Sequence, residues 1–387
     1  MEGKRLIEKI RLRNILSFGD KGEEIELQPL NVIIGQNASG KSNLIDVIKL
    51  LHYLPVNTKY KSLANFIYDN GGIYEWIWKG NQRSDNMAEI NVELHLIPIW
   101  KEARPETILY KIRFTELEQK LVVPIEEIAN LDKKLLWSKY NVPTYDSILS
   151  YSAKESFYNL SETDKLRLSS LGNTLSLISL HTDLQTNRAS ELRKPKLYRP
   201  STSSLEDDAE NLVNVLHYLK SEKTPKQKVV ENLQKFYPRI EDYEIEFVRA
   251  GEVQLFIREE GLEKPISAMR LSDGTLRYLC LLAILCHPEP PPLICIEEPE
   301  TGLHPDILPT IAELMIEASQ RTQLIVTTHS DIFVSAFSEI PEAVLVCEKD
   351  EDGTHFKRLE KDKLKAWLEE YELGDLWLKG EIGGKRW

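Results

Sequence analysis

The stretch Gly35-Gln-Asn-Ala-Ser-Gly40-Lys41-Ser42 constrains this chain more than any other, because of what stands on either side of it. Before it runs Asn31-Val-Ile-Ile34, a short apolar segment suited to a buried parallel strand. After it, Leu44, Ile45, Val47, Ile48 and Leu51 fall at helical spacing in a segment, Lys41 to Leu54, that stops before Pro55. A glycine-bounded loop between a strand and a helix turns successive backbone N–H groups toward one anion, and the helix N-terminus adds its positive dipole end. The pattern G-x-x-x-x-G-K-[ST] in that setting is a phosphate-binding loop. Gly35, Gln36, Asn37, Ala38, Ser39, Gly40, Lys41, Ser42 and Asn43 are expected to hold a nucleoside triphosphate. Lys41 would reach the β- and γ-phosphates, and the Ser42 hydroxyl would ligate Mg²⁺.

The surrounding text reads as an α/β protein. Leu6–Leu12 and Glu24–Leu27 alternate apolar and polar side chains around the turn Gly19-Asp20-Lys21-Gly22, and Ile90–Ile97 and Ile108–Phe114 do the same. From about 131 to 244 the character changes: segments such as Leu205–Lys220 and Lys226–Phe236 have helical spacing, broken by Pro195, Pro200, Pro225 and Pro238. After 245 strands and helices alternate again: strand Glu252–Ile257, helix Thr275–Cys286, strand Leu293–Ile296, helix Pro305–Ser319, strand Gln323–Thr328 and strand Val344–Cys347. Such alternation implies a mostly parallel sheet with helices on both faces, here with antiparallel strands at the N-terminus. The expected organisation is a discontinuous unit, 1–130 plus 245–387, interrupted by a mainly helical insertion at 131–244 that serves as a lid or partner-binding element. No heptad register lasts beyond a few turns, so no long coiled coil is expected.

Composition narrows the setting. With 49 Lys+Arg against 61 Asp+Glu the net charge is −12, which argues against a surface that coats nucleic acid indiscriminately but allows one local basic groove. No apolar run approaches the roughly eighteen residues that cross a bilayer, and no apolar segment follows Met1-Glu-Gly-Lys-Arg, so neither a membrane span nor a signal peptide is expected. Four cysteines, Cys280, Cys286, Cys295 and Cys347, show no Cys-x-x-Cys pair and fit buried, reduced thiols of a cytoplasmic protein.

Three further segments carry chemistry. Leu293-Ile-Cys-Ile-Glu297-Glu298-Pro-Glu300 is an apolar strand ending in carboxylates. In a phosphate-loop enzyme one such acid holds the metal shell and its neighbour deprotonates the attacking water, so Glu297 is read as a metal ligand and Glu298 as general base; Glu300 is read as structural or interface-facing. Leu271-Ser272-Asp273-Gly274-Thr275 puts a capping serine and a glycine at a helix N-terminus, a second anion site. Thr327-Thr328-His329-Ser330 ends a strand expected to neighbour the carboxylate strand, where the His329 imidazole would bond a γ-phosphate or the water.

Phosphate loop, Leu-Ser-x-Gly, acidic strand and Thr-His-Ser, in that order, resemble the ABC-type ATPase head. The likeness is strongest to the branch with SMC, RecF and OLD-type proteins, and within it to stand-alone OLD-like "predicted ATPase" members. It rests on Gly35–Ser42, Leu271–Thr275, Ile296–Pro305, Thr327–Ser330 and the closing Leu373-Gly-Asp and Gly383-Gly-Lys-Arg-Trp387, and it covers 1–130 and 245–387. Glu297 stands where most such heads have Asp, and Thr275 where transporters have Gln; His304 lies in the stretch corresponding to the dimer-contacting D-loop. A Q-loop glutamine is not placed, Gln82 being a weak candidate.

The resemblance implies ATP and Mg²⁺ as ligands and hydrolysis at Glu298, His329 and Lys41. It also implies a homodimer or higher even oligomer in which Leu271, Ser272, Asp273 and Gly274 of one copy close over the nucleotide of the other. The expected output is a switch or clamp acting on DNA or a separately encoded nuclease or toxin effector, in anti-phage defence or DNA repair. The alternative is an ATP-sensing scaffold that restrains a toxin or enzyme without touching nucleic acid. Only 57 residues follow Ser330, too few for an appended Toprim domain of about a hundred. Lys349-Asp350-Glu-Asp352-Gly353 looks superficially like a nuclease Asp-x-Asp, but an Asp-Gly hairpin turn between Val344–Cys347 and His355–Arg358 accounts for it better. Two basic clusters, Arg188 to Arg199 and Lys357 to Lys365, are readable either as DNA-backbone footprints or as solvated faces.

Overall fold

A computed structural model describes residues 3–55, 63–80, 86–97, 106–132, 134–144, 147, 149, 161–199, 204–249 and 251–384. The centre is a six-stranded sheet in the order β16-β15-β3-β14-β13-β8: Gly353–Arg358, Val344–Asp350, Leu30–Gly35, Gln323–Thr327, Leu293–Glu297 and Ser179–His181. All its pairs are parallel except β15 with β16.

This sheet is apolar on both faces because both are covered, and the alternation of side chains sorts them into two cores. Val32 and Ile34, Ile294 and Ile296, Leu324 and Val326, and Val344 and Val346 point into one. Ile33, Leu293 and Cys295, Ile325, and Leu345 and Cys347 point into the other. The helix Lys41–Tyr53 covers the second face through Leu44, Ile45, Val47, Ile48 and Leu51, the spacing legible in the sequence. The helix Asp273–Leu285, apolar nearly all round, covers the first.

A second sheet, wholly antiparallel, has the order β2-β1-β4-β5-β6-β7: Glu23–Glu26, Ile7–Arg13, Ala88–Leu96, Glu106–Leu117, Lys120–Asn130 and Leu135–Thr144. Strand β4 buries every second residue, as a sheet with one covered face requires. The third sheet joins β9 (Lys196–Leu197), β10 (Ile240–Arg249), β11 (Glu252–Glu259) and β12 (Ile266–Ser267).

The 131–244 span holds the helices Glu162–Ser176, Leu212–Ser221 and Lys223–Phe236, yet it also threads both main sheets. β7 extends the antiparallel sheet beside β6, and β8 lies parallel to β13 at the edge of the central one. Periodicity misses a three-residue strand such as β8, which exists only because β13 offers it an open edge. The helix expected from Leu205 begins at Leu212 instead, after a reversal at Ala209, whose φ of 56° is left-handed.

The four cysteines are buried and free, as expected of reduced thiols. Burial pushes the Cys280 and Cys286 thiols up to about 12 and Cys347 up to about 11. The 350–353 segment is the hairpin turn: Asp350 pairs with Gly353 across β15 and β16, and its Oδ1 accepts from the backbone N–H groups of Asp352 and Gly353. Those backbone bonds hold the Asp350 carboxyl below its usual range. Asp352 pairs with Lys21 at 2.5 Å, and among the described residues no group of three or more acids, histidines or cysteines is placed to hold a metal.

Candidate nucleotide site

Parallel strands deliver their following loops to one edge, and three of these strands put the candidate residues there. Thr327 lies between Ile33 and Glu297 in register, and Gly35 lies beside Cys347. The phosphate loop, the acidic strand end and the Thr-His-Ser turn therefore converge from Gly35, Glu297 and Thr327.

The loop is held open by its neighbours. Gly40 has φ 110°, and a Cβ there would come within 2.3 Å of Thr354 Oγ1 and 2.6 Å of Ser17 Oγ. Thr354 Oγ1 donates to Ser39 O at 2.7 Å, and Asn43 Nδ2 donates to Ser17 Oγ at 2.6 Å. Strand β16 and the turn after β1 thus clamp the loop from two sheets. Gly40→Ala is expected to cost roughly 1–3 kcal/mol from clash and forbidden φ, read as a fall in thermal midpoint together with weaker nucleotide binding; an unchanged midpoint would show that the clamp yields.

Lys41 is buried, with Nζ donating to Gly35 O at 2.9 Å and Gln36 O at 2.8 Å. Burial lowers its pKa, against the opposing pull of Cys347 and Glu298. Burial raises the Glu297 pKa, against the lowering pull of Lys49, 3.8 Å away, and of the Ser42 side chain. A hydroxyl and a carboxylate converging in this way form an oxygen donor set that suits Mg²⁺.

Glu298 has φ 45°, a left-handed conformation uncommon outside glycine and found preferentially at functional sites. Its backbone is pinned on both sides: N–H donates to Thr327 O at 3.0 Å, and its carbonyl accepts from Arg277 Nη2 at 2.9 Å. The half-exposed carboxylate accepts from Thr301 Oγ1 at 3.3 Å and lies 3.7 Å from His329 Nε2. Glu300 takes the structural of the two roles left open for it. Its Oε1 accepts from Thr328 Oγ1 and from the His329 backbone N–H, both at 2.8 Å, so it fixes the turn that carries His329.

A cavity of about 430 Å³ is lined by Asn37, Ala38, Gly40 to Asn43, Glu298, His329 and Lys349. In the sequence Lys349 stands out only as the start of the Asp-Gly hairpin segment, with nothing to tie it to the phosphate loop. It sits on the hairpin and meets the loop only because β15 lies beside β3. The segment Leu271 to Gly274 does not line this cavity among the described residues. Ser272 caps its helix by accepting from Thr275 N–H at 3.0 Å and stays exposed. Gly274 abuts the turn after the acidic strand, where a Cβ would come within 2.9 Å of Gly302 O.

A family model described as "AAA domain, putative AbiEii toxin, Type IV TA system" matches residues 30–335, a span that runs from strand β3 to the helix after His329. The chain belongs to this AAA family. Its fold is that of an SMC-type P-loop ATPase head. It is similar to an Smc head bound to the C-winged helix domain of ScpA, at TM-score 0.59 and 13% identity over 93% of this chain and 99% of that one. It is also similar to an Smc head with an extended coiled coil, bound to the C-terminal domain of ScpA derived from Pyrococcus furiosus. That match has TM-score 0.53 and 14% identity over 94% of this chain and 99% of that one. No curated protein matches the sequence. This AAA protein is a P-loop ATPase, and among its described residues no helix is long and apolar enough to cross a membrane.

Several side chains of the two basic clusters have partners within the chain. In the AAA protein Arg193 is buried, Lys194 pairs with Glu191, and Lys196 pairs with both Glu191 and Glu210. In the second cluster Arg358 donates to Glu342 O, Glu26 O and Asn31 Oδ1, while Lys361 and Lys363 pair with Glu339 and Glu360. Gln82, the weak Q-loop candidate, lies outside the described residues. The loop after β8 leaves the sheet at the same edge as Glu297, since His181 lies beside Ile296, and it carries Gln185, which donates to Asp183.

Proposed function

We propose that the protein binds Mg-ATP between two copies of itself and uses hydrolysis as a switch on a separately encoded effector or on DNA, in anti-phage defence or DNA repair. The carrying observation is the half-built cavity: phosphate loop, acid and histidine are assembled within one chain, while Ser272, exposed, and Gly274, half-buried, stand outside it. A second copy supplying them would close the γ-phosphate between two helix N-termini. Ser42 and Glu297 would hold Mg²⁺, which neutralises phosphate charge. The Glu298 carboxylate takes the proton of the attacking water as the water's oxygen bonds the γ-phosphorus and the bond to the β-phosphate oxygen breaks. Lys41 and His329 stabilise the charge on the γ-phosphoryl oxygens. The 131–244 span is proposed as the lid or partner surface.

Complementation tests the two-copy site. Lys41→Ala and Ser272→Arg chains, each inactive alone, should regain about a quarter of parental turnover when mixed equally, since half the pairs are mixed and each has one whole site. No recovery would refute shared catalysis. Lys349→Ala is expected to raise the ATP Kd about three- to tenfold, as loss of one exposed charge does, without moving the thermal midpoint; an unchanged Kd in a nucleotide titration removes Lys349 from the site.

The ATP-sensing scaffold without nucleic acid is the second reading. The internal pairing of both basic clusters favours it, and a partner class is suggested by the toxin in the family's description. Turnover unaffected by duplex ends or branched DNA would select it over DNA action.

A further inference from the structure

Arg193 stands on a short helical turn, Glu191–Arg193, begun by the Ser190 cap. It lies in the span expected to be an insertion, yet its guanidinium reaches the segment that opens the helix Asp273–Leu285. Nε donates to Asn187 O at 2.9 Å. Nη2 donates to Thr186 O at 2.8 Å and to the Asp273 carboxylate. Nη1 donates to Leu271 O at 2.7 Å and Ala268 O at 3.2 Å.

A guanidinium has five N–H donors, and here each one is taken. Two bonds go to the loop that follows β8, two to the carbonyls leading into Ser272, and one to the residue after Ser272. The side chain is only 5% exposed, while Asp273 is 60% exposed. A buried charge is tolerated here because its hydrogen-bonding capacity is filled. The arrangement does not suit a surface contact to DNA.

The second link runs through Arg277, one turn into the same helix. Nη1 donates to Leu184 O at 3.4 Å and Nη2 to Glu298 O at 2.9 Å. The loop after β8 is thus tied at Leu184 to the backbone of the acidic residue, and at Thr186 and Asn187 to the Ser272 segment.

We propose that Arg193 is a positioning residue for the shared half of the ATP site. It makes the loop beside Glu297 and Glu298 and the Leu271–Asp273 segment one mechanical unit, so that a change at the chain's own nucleotide is passed to the segment it presents to a second copy. The proposal rests on the two-copy reading above. Lysine cannot replace it, because a point ammonium with three donors does not span four carbonyls and a carboxylate.

The test uses the full chain with Glu298→Gln, so that any ATP-bound pair persists. The parent, Arg193→Lys and Arg193→Met are compared for affinity toward a fluorescent ATP analogue and for pairing by light scattering with ATP. Both Arg193 variants should bind the analogue within about twofold of the parent yet need at least about tenfold more protein to pair, a split that general loss of structure would not produce. A parent that stays single with ATP removes the two-copy reading and this proposal with it. A parent that pairs, beside an Arg193→Lys chain that pairs equally well, overturns the role of Arg193 alone. So does an equal loss of affinity and pairing.

Hydrogen exchange on the unsubstituted chain decides the matter if neither variant folds. Nucleotide should change protection at 186–193 and 271–276 together, and a change confined to one segment overturns the coupling.

Discussion

Glu298→Gln is expected to lower ATP turnover by about 10²–10⁴-fold, the range that a positioned general base contributes. Nucleotide affinity should hold, and a nucleotide-bound pair should accumulate. The amide keeps the shape of the carboxylate and an oxygen to accept from Thr301, but it takes no proton. The backbone that aims the residue is untouched, since it depends on Thr327 O and Arg277. Two measurements decide separate points. Undiminished steady-state turnover would remove Glu298 as base, and a chain that remains single by light scattering with ATP would remove the shared site.

Lys41→Ala should produce the largest loss of binding. An ammonium contacting two phosphates makes charge-assisted hydrogen bonds of about 1.5–3 kcal/mol each, so the Kd should rise by roughly 10²–10⁴-fold, measurable by titration calorimetry. The ligand-free fold should not suffer. Burial lowers the Lys41 pKa, so the charged form is penalised in the folded chain at neutral pH, and the penalty fades only as pH rises through that lowered value. The thermal midpoint without nucleotide should therefore stay level or rise. A fall of several degrees would mean that the bonds to Gly35 O and Gln36 O outweigh the cost of burial.

The two predictions draw on different levels of information. Lys41 was legible because its loop, strand and helix are contiguous: glycine positions, apolar run and helical spacing all fall within residues 31–54. Glu298 was legible as a strand-end acid, while its left-handed backbone and its approach to His329 required the neighbouring strand. Glu300 was left between two roles until Thr328 and His329 were seen to donate to it. Arg193 is undecided in the sequence for the same reason. Beside Lys194 and Lys196 it reads as a basic surface, whereas its partners lie at Ala268, Leu271 and Asp273.

Turn chemistry, helix caps and apolar periodicity act over a few residues, so the chain itself determined the phosphate loop, the Ser272 cap, the Asp-Gly hairpin and the parallel character of the central strands. Sheet order is a different kind of fact. That β15 flanks β3 and brings Lys349 to the nucleotide cavity, or that the three residues of β8 find an edge on β13, follows from which apolar faces can be covered at once. That competition is settled by burial across the whole fold, and no local stretch of residues records its outcome.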